Sequence, residues 1–336
     1  MRILLLGGSW FLGRAVAEDC LARGWSVTTF NRGRSAPDLP GVQTVRGDRT
    51  SREDLERLAR SGPWDAVVDT SASELAPNQV LAGTSVLEPV VDRYVYVSTV
   101  NAYIGWPHEP LTERSPTYPA PPDADREYGI AEGVTIHYGK QKAGAEAAVR
   151  SLFGDRATVL RPGVILGPGE YVGRLPWWLQ RAERGGRMLA PGRPEQPIQP
   201  VDVRDVAAFA LDTAAKGGGP YNLAAPQERD TMANLLTACL EVTGNQGELA
   251  WAEDHFLADH GVREWTELPL WRTSAGAWAV DASLAREAGF VCRPLLETVR
   301  DTWGWLHGGE RPVAHPRWAD HGIDPEKEAR ILASIV

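Results

Sequence analysis

The sequence predicts an α/β fold in which a doubly wound parallel sheet is followed by a smaller, loop-rich C-terminal part. Two observations carry this prediction. Short β-rich runs alternate with helix-like stretches over the first hundred residues, a pattern typical of strand–helix–strand units with right-handed crossovers. The apolar runs Ile3–Leu6 and Ala66–Val68 are continuous, as expected for strands that are buried on both faces of such a sheet.

The elements of the first hundred residues can be justified in order. Gly24 closes the first predicted helix, and Ser51 with Asp54 forms a capping pair at the start of the second. The predicted strands are Arg2–Leu6, Ser26–Phe30, Val42–Val45, Asp65–Asp69 and Tyr94–Ser98. The predicted helices between them are Leu12–Arg23, Arg52–Arg60 and Pro77–Glu88.

The pattern changes after the fifth strand. Residues 105–127 contain six prolines and are predicted to form a loop. A helix over Gly139–Phe153 and a strand over Ala157–Arg161 resume the alternation. Beyond Pro162, the predicted helices are Leu175–Arg184, Val203–Ala215, Thr231–Val242, Ala282–Ala288 and Pro294–Leu306. We therefore expect a first domain over residues 1–168, rejoined by about 200–225, and a second part over 169–336.

Composition excludes several classes of protein. A chain of 336 residues suggests one large domain or two closely joined ones. The net charge of −9 argues against a general nucleic-acid or anionic-membrane surface, because phosphate binding requires a basic footprint. Cys20, Cys239 and Cys292 lack metal-ligand spacing, so we expect no metal site. The apolar start of the chain is too short for a signal peptide or a membrane span, and we expect a cytoplasmic protein.

The segment GGSWFLG follows the first predicted strand and opens the first predicted helix. A tight glycine turn at this place lets backbone N–H groups and the helix N-terminus face the pyrophosphate of a dinucleotide. A strand–helix turn that binds no cofactor is the alternative. The cofactor-binding candidates in this segment are Gly7, Gly8, Ser9, Trp10, Phe11, Leu12 and Gly13.

The end of the second strand distinguishes between dinucleotides. An acidic residue there holds the ribose 2′-hydroxyl of NAD, whereas an arginine accommodates the 2′-phosphate of NADP. The sequence has Asn31, Arg32 and Arg34 and no carboxylate. It therefore favours NADP(H), while NAD(H) stays open and a solvated turn is the alternative. Asp48 and Arg49, after the third strand, are further cofactor-binding candidates. Asp48 could accept a hydrogen bond from the adenine amine or start the next turn.

Tyr138 stands four residues before Lys142 in a predicted helix, so the two side chains share one face. Transfer of a hydride to a carbonyl needs a proton donor beside the oxygen. A free phenol, with a pKa of about 10, is a poor general base at neutral pH, and a nearby lysine favours the phenolate. The pair therefore indicates a nicotinamide-dependent enzyme; an exposed pair without chemistry is the alternative.

Polar side chains follow the fifth predicted strand. Doubly wound sheets bind their ligands at the carboxyl ends of the strands, and Ser98, Thr99 and Asn101 stand there. Either hydroxyl could polarise a substrate oxygen. The alternative is that serine and threonine merely end the strand.

Four segments together resemble the extended short-chain dehydrogenase/reductase superfamily, in its epimerase/dehydratase branch. They are GGSWFLG, VSTVNAY, YGKQK and RPGVILGPG, in this order and spacing. The resemblance implies a Rossmann fold that binds NAD(P), with Thr99, Tyr138 and Lys142 as catalytic residues. The sequence departs from the family at the phosphate motif GxxGxxG, because Trp10 replaces the middle glycine.

The resemblance also implies further site residues and a partner. It assigns to the cofactor Thr70, Ser71, Pro162 and Val164. It places in segments that face a small-molecule substrate Arg174, Trp177, Arg193 and Gln199. Ordinary packing and solvated charge are the alternatives for these four. The helix that carries Tyr138 pairs with a second subunit in similar proteins, so a homodimer is a further expectation.

Three functions remain open at this point. Dehydratases of the branch carry an Asp-Glu pair directly after the threonine, whereas Val100 and Asn101 follow Thr99 here, so sugar dehydration is disfavoured. We expect an NADP(H)-dependent ketoreductase that acts on a sugar-like or secondary-metabolite carbonyl. The alternatives are a NAD-dependent nucleotide-sugar epimerase and a non-catalytic Rossmann module that binds RNA or a protein.

Overall fold

Strands and helices alternate along the chain, and the computed structural model describes residues 1–244, 247–309 and 315–335. The strands are β1 (Arg2–Leu6), β2 (Ser26–Asn31), β3 (Gln43–Arg46), β4 (Trp64–Asp69), β5 (Val91–Val97), β6 (Ala157–Pro162), β7 (Ile165–Leu166), β8 (Gly186–Pro191), β9 (Pro197–Ile198), β10 (Val201–Asp202), β11 (Tyr221–Leu223), β12 (Asp230–Thr231) and β13 (Gly247–Ala252). The helices are α1 (Phe11–Ala22), α2 (Arg52–Ala59), α3 (Pro77–Leu87), α4 (Val134–Phe153), α5 (Arg174–Glu183), α6 (Val203–Lys216), α7 (Met232–Val242), α8 (Asp254–Asp259), α9 (Ser283–Glu287), α10 (Leu295–His307) and α11 (Pro325–Ser334). None of these helices combines the length and the hydropathy that crossing a lipid bilayer requires, in the part of the chain described.

Seven parallel strands form the sheet of the first of two units. This unit comprises Met1–Gly163, Val203–Ala224 and Val280–Val291. The strand order is β11, β6, β5, β4, β1, β2, β3, so the chain winds outward from β1 in both directions. Helix α1 packs against α6, and α3 packs against α2 and α4. The doubly wound α/β fold predicted from the sequence is confirmed.

Strand β1 lies inside the sheet and is buried on both faces. Ile3–Leu6 are at most 1% exposed, and Ile3 pairs with Val27 on β2 and with Ala66 on β4. Burial of one such side chain contributes about 1.5–3 kcal/mol. A strand with neighbours on both sides and covered faces needs apolar residues at every position, which is why its sequence is a continuous apolar run.

Helix α4 begins earlier than the sequence analysis predicts. We expected Tyr138 to open a helix over Gly139–Phe153, but α4 begins at Val134, after Gly133 with a φ of 97°. Tyr138 is therefore the fifth residue of the helix. Val134 is 87% exposed, so the first residue of the helix adds no buried apolar position to the periodic pattern that would reveal the helix start.

The chain returns to the first unit a second time at Val280–Val291. The Leu111 carbonyl accepts a hydrogen bond from Asp281 N (2.8 Å), and Asn222 Nδ2 donates to the Asp281 carbonyl (3.0 Å). From the sequence, we expected a return only near residues 200–225 and placed this later segment in the second part. Contacts between residues so far apart in the chain leave no local pattern, which is why the segment was assigned differently.

The second unit has its own apolar core. It comprises Val164–Asp202, Ala225–Ala279 and Cys292–Val336. Trp178 and Trp271 are fully buried in its core, and β8 pairs in parallel with β13. Arg181 on α5 donates to both carboxylate oxygens of Glu328 on α11 (2.8 Å each). This buried ion pair fixes the C-terminal helix, which the sequence analysis did not predict, to the rest of the unit.

Helix α4 approaches the end of β5 closely because Gly139 has no side chain. A Cβ at Gly139 would lie 2.3 Å from the Asn101 carbonyl oxygen and 2.7 Å from a ring carbon of Tyr118. Asn101 lies in the short 3-10 turn Val100–Ala102, directly after β5. The glycine thus brings the helix that carries Tyr138 against the segment that carries Thr99.

Replacement of Gly139 by alanine is expected to destabilise the protein, although alanine is the better helix former. The added methyl group must move α4 away from the Asn101 carbonyl, which we expect to cost about 1–3 kcal/mol. Gly304 in α10 is the matched control, because a Cβ there would have no neighbour within 4 Å. Gly304→Ala should stabilise the protein by about 0.5–1 kcal/mol. Urea-induced unfolding measures both changes, and a Gly139→Ala variant as stable as the wild type would contradict the close approach.

Candidate active site

The glycine turn after β1 is built so that no side chain fits at three of its positions. Gly7 and Gly8 have φ values of 111° and 99°, which disfavour residues with a Cβ. A Cβ at Gly7 would lie 2.9 Å from Thr70 Oγ1, and one at Gly13 would lie 2.6 Å from Gly8 N. The turn therefore brings together the end of β1, the start of α1 and Thr70 after β4.

The start of α1 has the properties of an anion site. Trp10 is its N-cap residue, and no acidic residue stands in its first turn, so the partial positive charge of the helix N-terminus is not offset there. Trp10 has an extended backbone with a φ of −150°, which explains why a large side chain is tolerated where the family has glycine. Phe11, with a φ of 38°, takes the left-handed conformation instead. This cradle of backbone atoms, which a Cβ would fill, fits the pyrophosphate of a dinucleotide.

Two exposed arginines lie near Asp48, at the ends of β2 and β3. Hydrogen bonds from Thr50 N (2.9 Å) and Thr50 Oγ1 (2.7 Å) hold the pKa of Asp48 below its usual range, and the charges of Arg32 and Arg34 lower it further. Asp48 thus starts the next turn, which is one of the two roles that the sequence predicts for it. Asn31 Oδ1 accepts a hydrogen bond from Gly33 N (2.8 Å), which shapes the loop that carries both arginines.

Arg49, one of the predicted cofactor residues, forms a buried ion pair with Asp69. Its guanidinium donates to Asp69 Oδ1 (2.6 Å) and Oδ2 (2.7 Å) and to Ser71 Oγ (3.0 Å). Tyr94 Oη donates to Asp69 Oδ2 (2.7 Å), and Asp69 is fully buried. The pair fixes the segment after β4, whose Ser71 side chain lies close to Gly7.

A cavity of about 290 Å³ lies beside this ion pair. Leu55 and Ala82 supply apolar surface, while the amides of Asn78 and Gln79 and the hydroxyl of Thr50 supply polar groups. The cavity has the size and the mixed lining that a heteroaromatic base requires. It therefore fits one end of the dinucleotide that the glycine turn would bind.

Lys142 lies under the end of β5, and Tyr138 lies one helical turn before it on α4. The Lys142 ammonium donates to the Val97 carbonyl (2.9 Å) and lies 4.4 Å from the centre of the Tyr96 ring. The side chain of Lys142 is buried, and burial lowers its pKa to about 8, against the opposing charge of Asp69. Tyr138 is half-buried. The helix thus presents a phenol and an ammonium of lowered proton affinity at the carboxyl end of β5.

The polar residues after β5 have different partners. Thr99 caps the 3-10 turn after β5: its hydroxyl donates to Asn101 Oδ1 (3.2 Å) and accepts from Asn101 N (3.3 Å). The Ser98 hydroxyl donates to Glu146 Oε1 (2.5 Å) in the core. Ser98 is therefore committed to the interior, whereas Thr99 and Asn101 stay at the segment against which Gly139 packs.

A buried network behind Lys142 was missed by the sequence analysis. Arg161 donates to both carboxylate oxygens of Glu146 (2.9 and 2.5 Å) and to Tyr103 Oη (2.8 Å), which in turn donates to Asn222 Oδ1 (2.8 Å). One signal could have found Glu146: it stands four residues after Lys142, on the face of α4 that the tyrosine and lysine share. Its partner Arg161 on β6 has no such signal.

The remaining predicted cofactor residues divide between the two units. Pro162 ends β6 and pairs with Leu223 of β11 in the first unit. Val164 belongs to the second unit, where its carbonyl accepts a hydrogen bond from Val201 N (2.9 Å). Ser9 and Leu12 lie in the glycine turn and in the first turn of α1.

The four predicted substrate residues after Pro162 lie in the second unit. Arg174 begins α5, with its guanidinium 4.7 Å from the Trp265 ring, and Trp177 packs against Trp178 with ring centres 4.6 Å apart. Arg193 is exposed. Gln199 is buried and donates to the Ala225 carbonyl (2.8 Å).

Comparison with known sequences gives three related proteins. A chloroplast stem-loop binding protein of 41 kDa (b) from Arabidopsis thaliana is 26% identical over 72% of this chain and 63% of its own length. A 2-alkyl-3-oxoalkanoate reductase from Stenotrophomonas maltophilia is 28% identical over 65% of this chain and 67% of its own. A dTDP-6-deoxy-L-talose 4-dehydrogenase (NAD(P)⁺) from Kitasatospora kifunensis is 26% identical over 90% of this chain and 94% of its own. The chain thus spans less than two thirds of the Arabidopsis relative.

A solved structure has a similar fold. A UDP-glucose 4-epimerase from Thermotoga maritima, solved with UDP-glucose, superimposes with a TM-score of 0.68 at 19% identity, over 92% of this chain and 99% of that one. At this identity the likeness concerns the fold.

The model of the NAD-dependent epimerase/dehydratase family matches residues 3–224. The match covers the glycine turn, Thr99, Tyr138 and Lys142, and the chain therefore belongs to this family of NAD(P)-dependent enzymes.

Proposed function

We propose that this protein is an NADP(H)-dependent oxidoreductase of the ketoreductase type, which acts on a sugar-like or secondary-metabolite carbonyl. One observation carries the proposal: Tyr138 and Lys142 lie one helical turn apart on α4, at the carboxyl end of β5. Gly139 lets the helix approach the Asn101 carbonyl, and Lys142 binds the Val97 carbonyl. This arrangement supports a role for Tyr138 as proton donor and for Lys142 as a nearby cation, at the edge where doubly wound sheets bind their substrates.

The residues of the site have separate tasks in this mechanism. A bound nicotinamide would supply the hydride that reduces the carbonyl carbon. Tyr138 donates a proton from Oη to the carbonyl oxygen. Thr99 orients that oxygen by donating a hydrogen bond to it. The substrate oxygen then replaces Asn101 Oδ1 as the acceptor of the threonine hydroxyl. A proton and a hydride together convert the carbonyl to an alcohol.

Lys142 assists Tyr138 through its charge. An ammonium near the phenol stabilises the phenolate that remains after proton donation. Burial of the ammonium strengthens this stabilisation of the phenolate, because charges interact more strongly where water is excluded. The Val97 carbonyl and the Tyr96 ring hold the ammonium in place.

Arg32 and Arg34 support the choice of NADP(H) over NAD(H). Both lie close enough to Asp48 to lower its pKa, so both reach the ends of β2 and β3, where the adenosine ribose of a dinucleotide binds in this fold. A guanidinium offers two parallel donors to a phosphate, whereas the ribose hydroxyls of NAD would require an acidic acceptor.

The relatives support a redox reaction at a carbonyl or hydroxyl group. One relative is named a 3-oxoalkanoate reductase and another a deoxysugar 4-dehydrogenase. The stem-loop binding relative favours a different function, binding to RNA. The net charge of −9 and the Tyr138–Lys142 pair oppose that function for this chain. A NAD-dependent epimerase would use the same pair, and cofactor preference distinguishes it from a reductase.

Tyr138→Phe is expected to lower turnover by about 10²-fold or more, because proton donation is lost. Cofactor affinity should stay nearly unchanged, since the phenol contacts the reacting oxygen and not the pyrophosphate turn. The measurement is NADPH consumption with 3-oxoalkanoates and 4-keto-deoxysugars, the substrate types suggested by the relatives' names. Energy transfer from tryptophan to NADPH reports binding.

Tyr128→Phe is the control for this experiment. Its hydroxyl donates to the Pro119 carbonyl (3.1 Å), so turnover should change little. Wild-type turnover in Tyr138→Phe would exclude the proposed mechanism.

The double variant Arg32→Gln, Arg34→Gln is expected to weaken NADPH binding by about tenfold or more, because charge-assisted hydrogen bonds to a phosphate are lost. Binding of NADH, which lacks the 2′-phosphate, should change much less. Fluorescence titration with each cofactor measures both affinities. Arg60→Gln is the control, because Arg60 is exposed at the end of α2 and does not line the cavity beside Arg49. A wild-type preference for NADH would favour the epimerase function instead.

Burial of Lys142 predicts a pH-dependent contribution to stability. Its pKa is about 8 in the folded chain against an ordinary value of 10.5, so between these values the unfolded chain binds more protons and the free energy of unfolding rises with pH. The free energy of unfolding of the wild type, relative to that of Lys142→Met, should rise by roughly 1.4 kcal/mol per pH unit across this window. Below the window, the difference between the two proteins should not depend on pH. Urea unfolding at several pH values measures the difference.

Lys140→Met is the control for the pH experiment. A hydrogen bond from Lys140 to Glu132 raises the pKa of Lys140. The wild type should therefore gain no stability over this variant between pH 8 and 10.5. A flat or falling difference for Lys142→Met over the same range would contradict the burial argument.

A further inference from the structure

The ring of Tyr96, on β5, contacts the ammonium of Lys142. The ammonium nitrogen lies 4.4 Å from the centre of the ring, within the distance at which the negative face of an aromatic ring attracts a cation. Tyr96 is fully buried, so the attraction acts where water is excluded and is stronger than it would be at the surface. The contact therefore influences both the position of the ammonium and its proton affinity.

The hydroxyl of Tyr96 does not explain why a tyrosine stands at this position. It is buried and has no hydrogen-bond partner among the described residues, which is unfavourable in a protein core. Tyr94, by contrast, donates from its hydroxyl to Asp69 Oδ2 (2.7 Å). Burial, with the charges of Asp69 and Glu146, raises the pKa of Tyr96 well above its usual range. The ring thus stays neutral while Lys142 titrates, and its aromatic face is the part that acts on the lysine.

The charged groups around Lys142 are already paired with one another. Asp69, at the end of β4, pairs with Arg49 (2.6 Å). Glu146, on α4, pairs with Arg161 on β6 (2.5 Å). Asp69 and Glu146 favour the charged form of the lysine, and Arg49 opposes it. Because neither carboxylate forms an ion pair with the ammonium in the part of the chain that the structure describes, the ring is its closest stabilising partner besides the backbone.

The ring supports the ammonium without occupying it fully. An ammonium has three N–H donors, and one of them binds the Val97 carbonyl (2.9 Å). An ion pair with a carboxylate would hold the ammonium in the core and raise its pKa. An aromatic face attracts it more weakly and from one side, which leaves donors and charge for the phenol of Tyr138, one helical turn away on α4.

We propose that Tyr96 is a positioning residue for Lys142, whose ring holds the ammonium charged and in place at the carboxyl end of β5 without an ion pair. Tyr96 acts on the reaction through the lysine alone. The inference rests on the function proposed above, since it is in that mechanism that Lys142 assists Tyr138. It requires that the negative face of the ring matters and that the Tyr96 hydroxyl does not.

Nuclear magnetic resonance of the protein with isotope-labelled lysines measures the titration of Lys142 directly. The chain has four lysines, and the signal that is absent from Lys142→Met identifies this one. Its pKa should be about 8 in the wild type and nearly the same in Tyr96→Phe, which keeps the ring. Replacement of Tyr96 by a trifluorinated phenylalanine keeps the ring shape but weakens its negative face, and Tyr96→Leu removes the ring. Both should lower the pKa of Lys142, the second by roughly 0.5–1.5 pH units.

The pH profile of turnover gives a second reading. The pH above which NADPH consumption falls should move down with the pKa of Lys142 in the trifluorinated variant and in Tyr96→Leu, and stay in place in Tyr96→Phe. A merely structural role would lower turnover at every pH and leave the profile where it is. Phe153→Leu is the control for lost ring volume, because Phe153 is buried in the same core at the far end of α4. Lys142 should titrate in this control as in the wild type.

Failure of this inference is distinguishable from failure of the proposed function. The resonance measurement needs neither cofactor nor substrate. A wild type that consumes no NADPH would contradict the proposed function, whereas an unchanged or higher pKa of Lys142 in the trifluorinated variant would show that Tyr96 has no such role. That variant preserves the packing of the core, so it decides the question even if Tyr96→Leu does not fold. A pKa lowered equally in Tyr96→Phe would also overturn the proposal, because it would assign the effect to the hydroxyl.

Discussion

The buried ion pair between Glu146 on α4 and Arg161 on β6 holds the candidate active site together. Ser98, at the end of β5, donates to the same carboxylate. Each of the three residues is at most 5% exposed. Loss of one partner from a buried pair typically costs about 3–5 kcal/mol, since the other charge remains buried without compensation. The placement of α4, and of Tyr138 and Lys142 on it, therefore depends on this interaction.

Two buried ion pairs, Glu146 with Arg161 and Asp69 with Arg49, determine the electrostatics around Lys142. Glu146 and Asp69 favour its charged form, but each is already paired with an arginine, and Arg49 opposes the charge. The desolvation of the ammonium therefore dominates, and its pKa falls to about 8. A lysine in this condition is charged at neutral pH without a tight carboxylate partner, so its field remains available to the neighbouring phenol.

Much of the fold and part of the site could be predicted from sequence. The glycine turn, the helix that carries Tyr138 and Lys142, and the position of Thr99 after β5 depend on local spacing, and the fold that they imply is confirmed. The roles of these three residues stay predictions. Arg49 was predicted as a cofactor residue, and its local sequence does not reveal its ion-pair partner Asp69, which stands 20 residues further along the chain.

The sequence by itself determined the doubly wound sheet, because strand and helix formation depends on the pattern of near neighbours. It also determined where glycine is required, at Gly7 and Gly13. The tertiary structure alone decided which charges are paired and buried, since Arg181 and Glu328 are 147 residues apart. Burial and charge compensation are properties of the folded surroundings of a side chain, and these surroundings come mostly from distant parts of the chain.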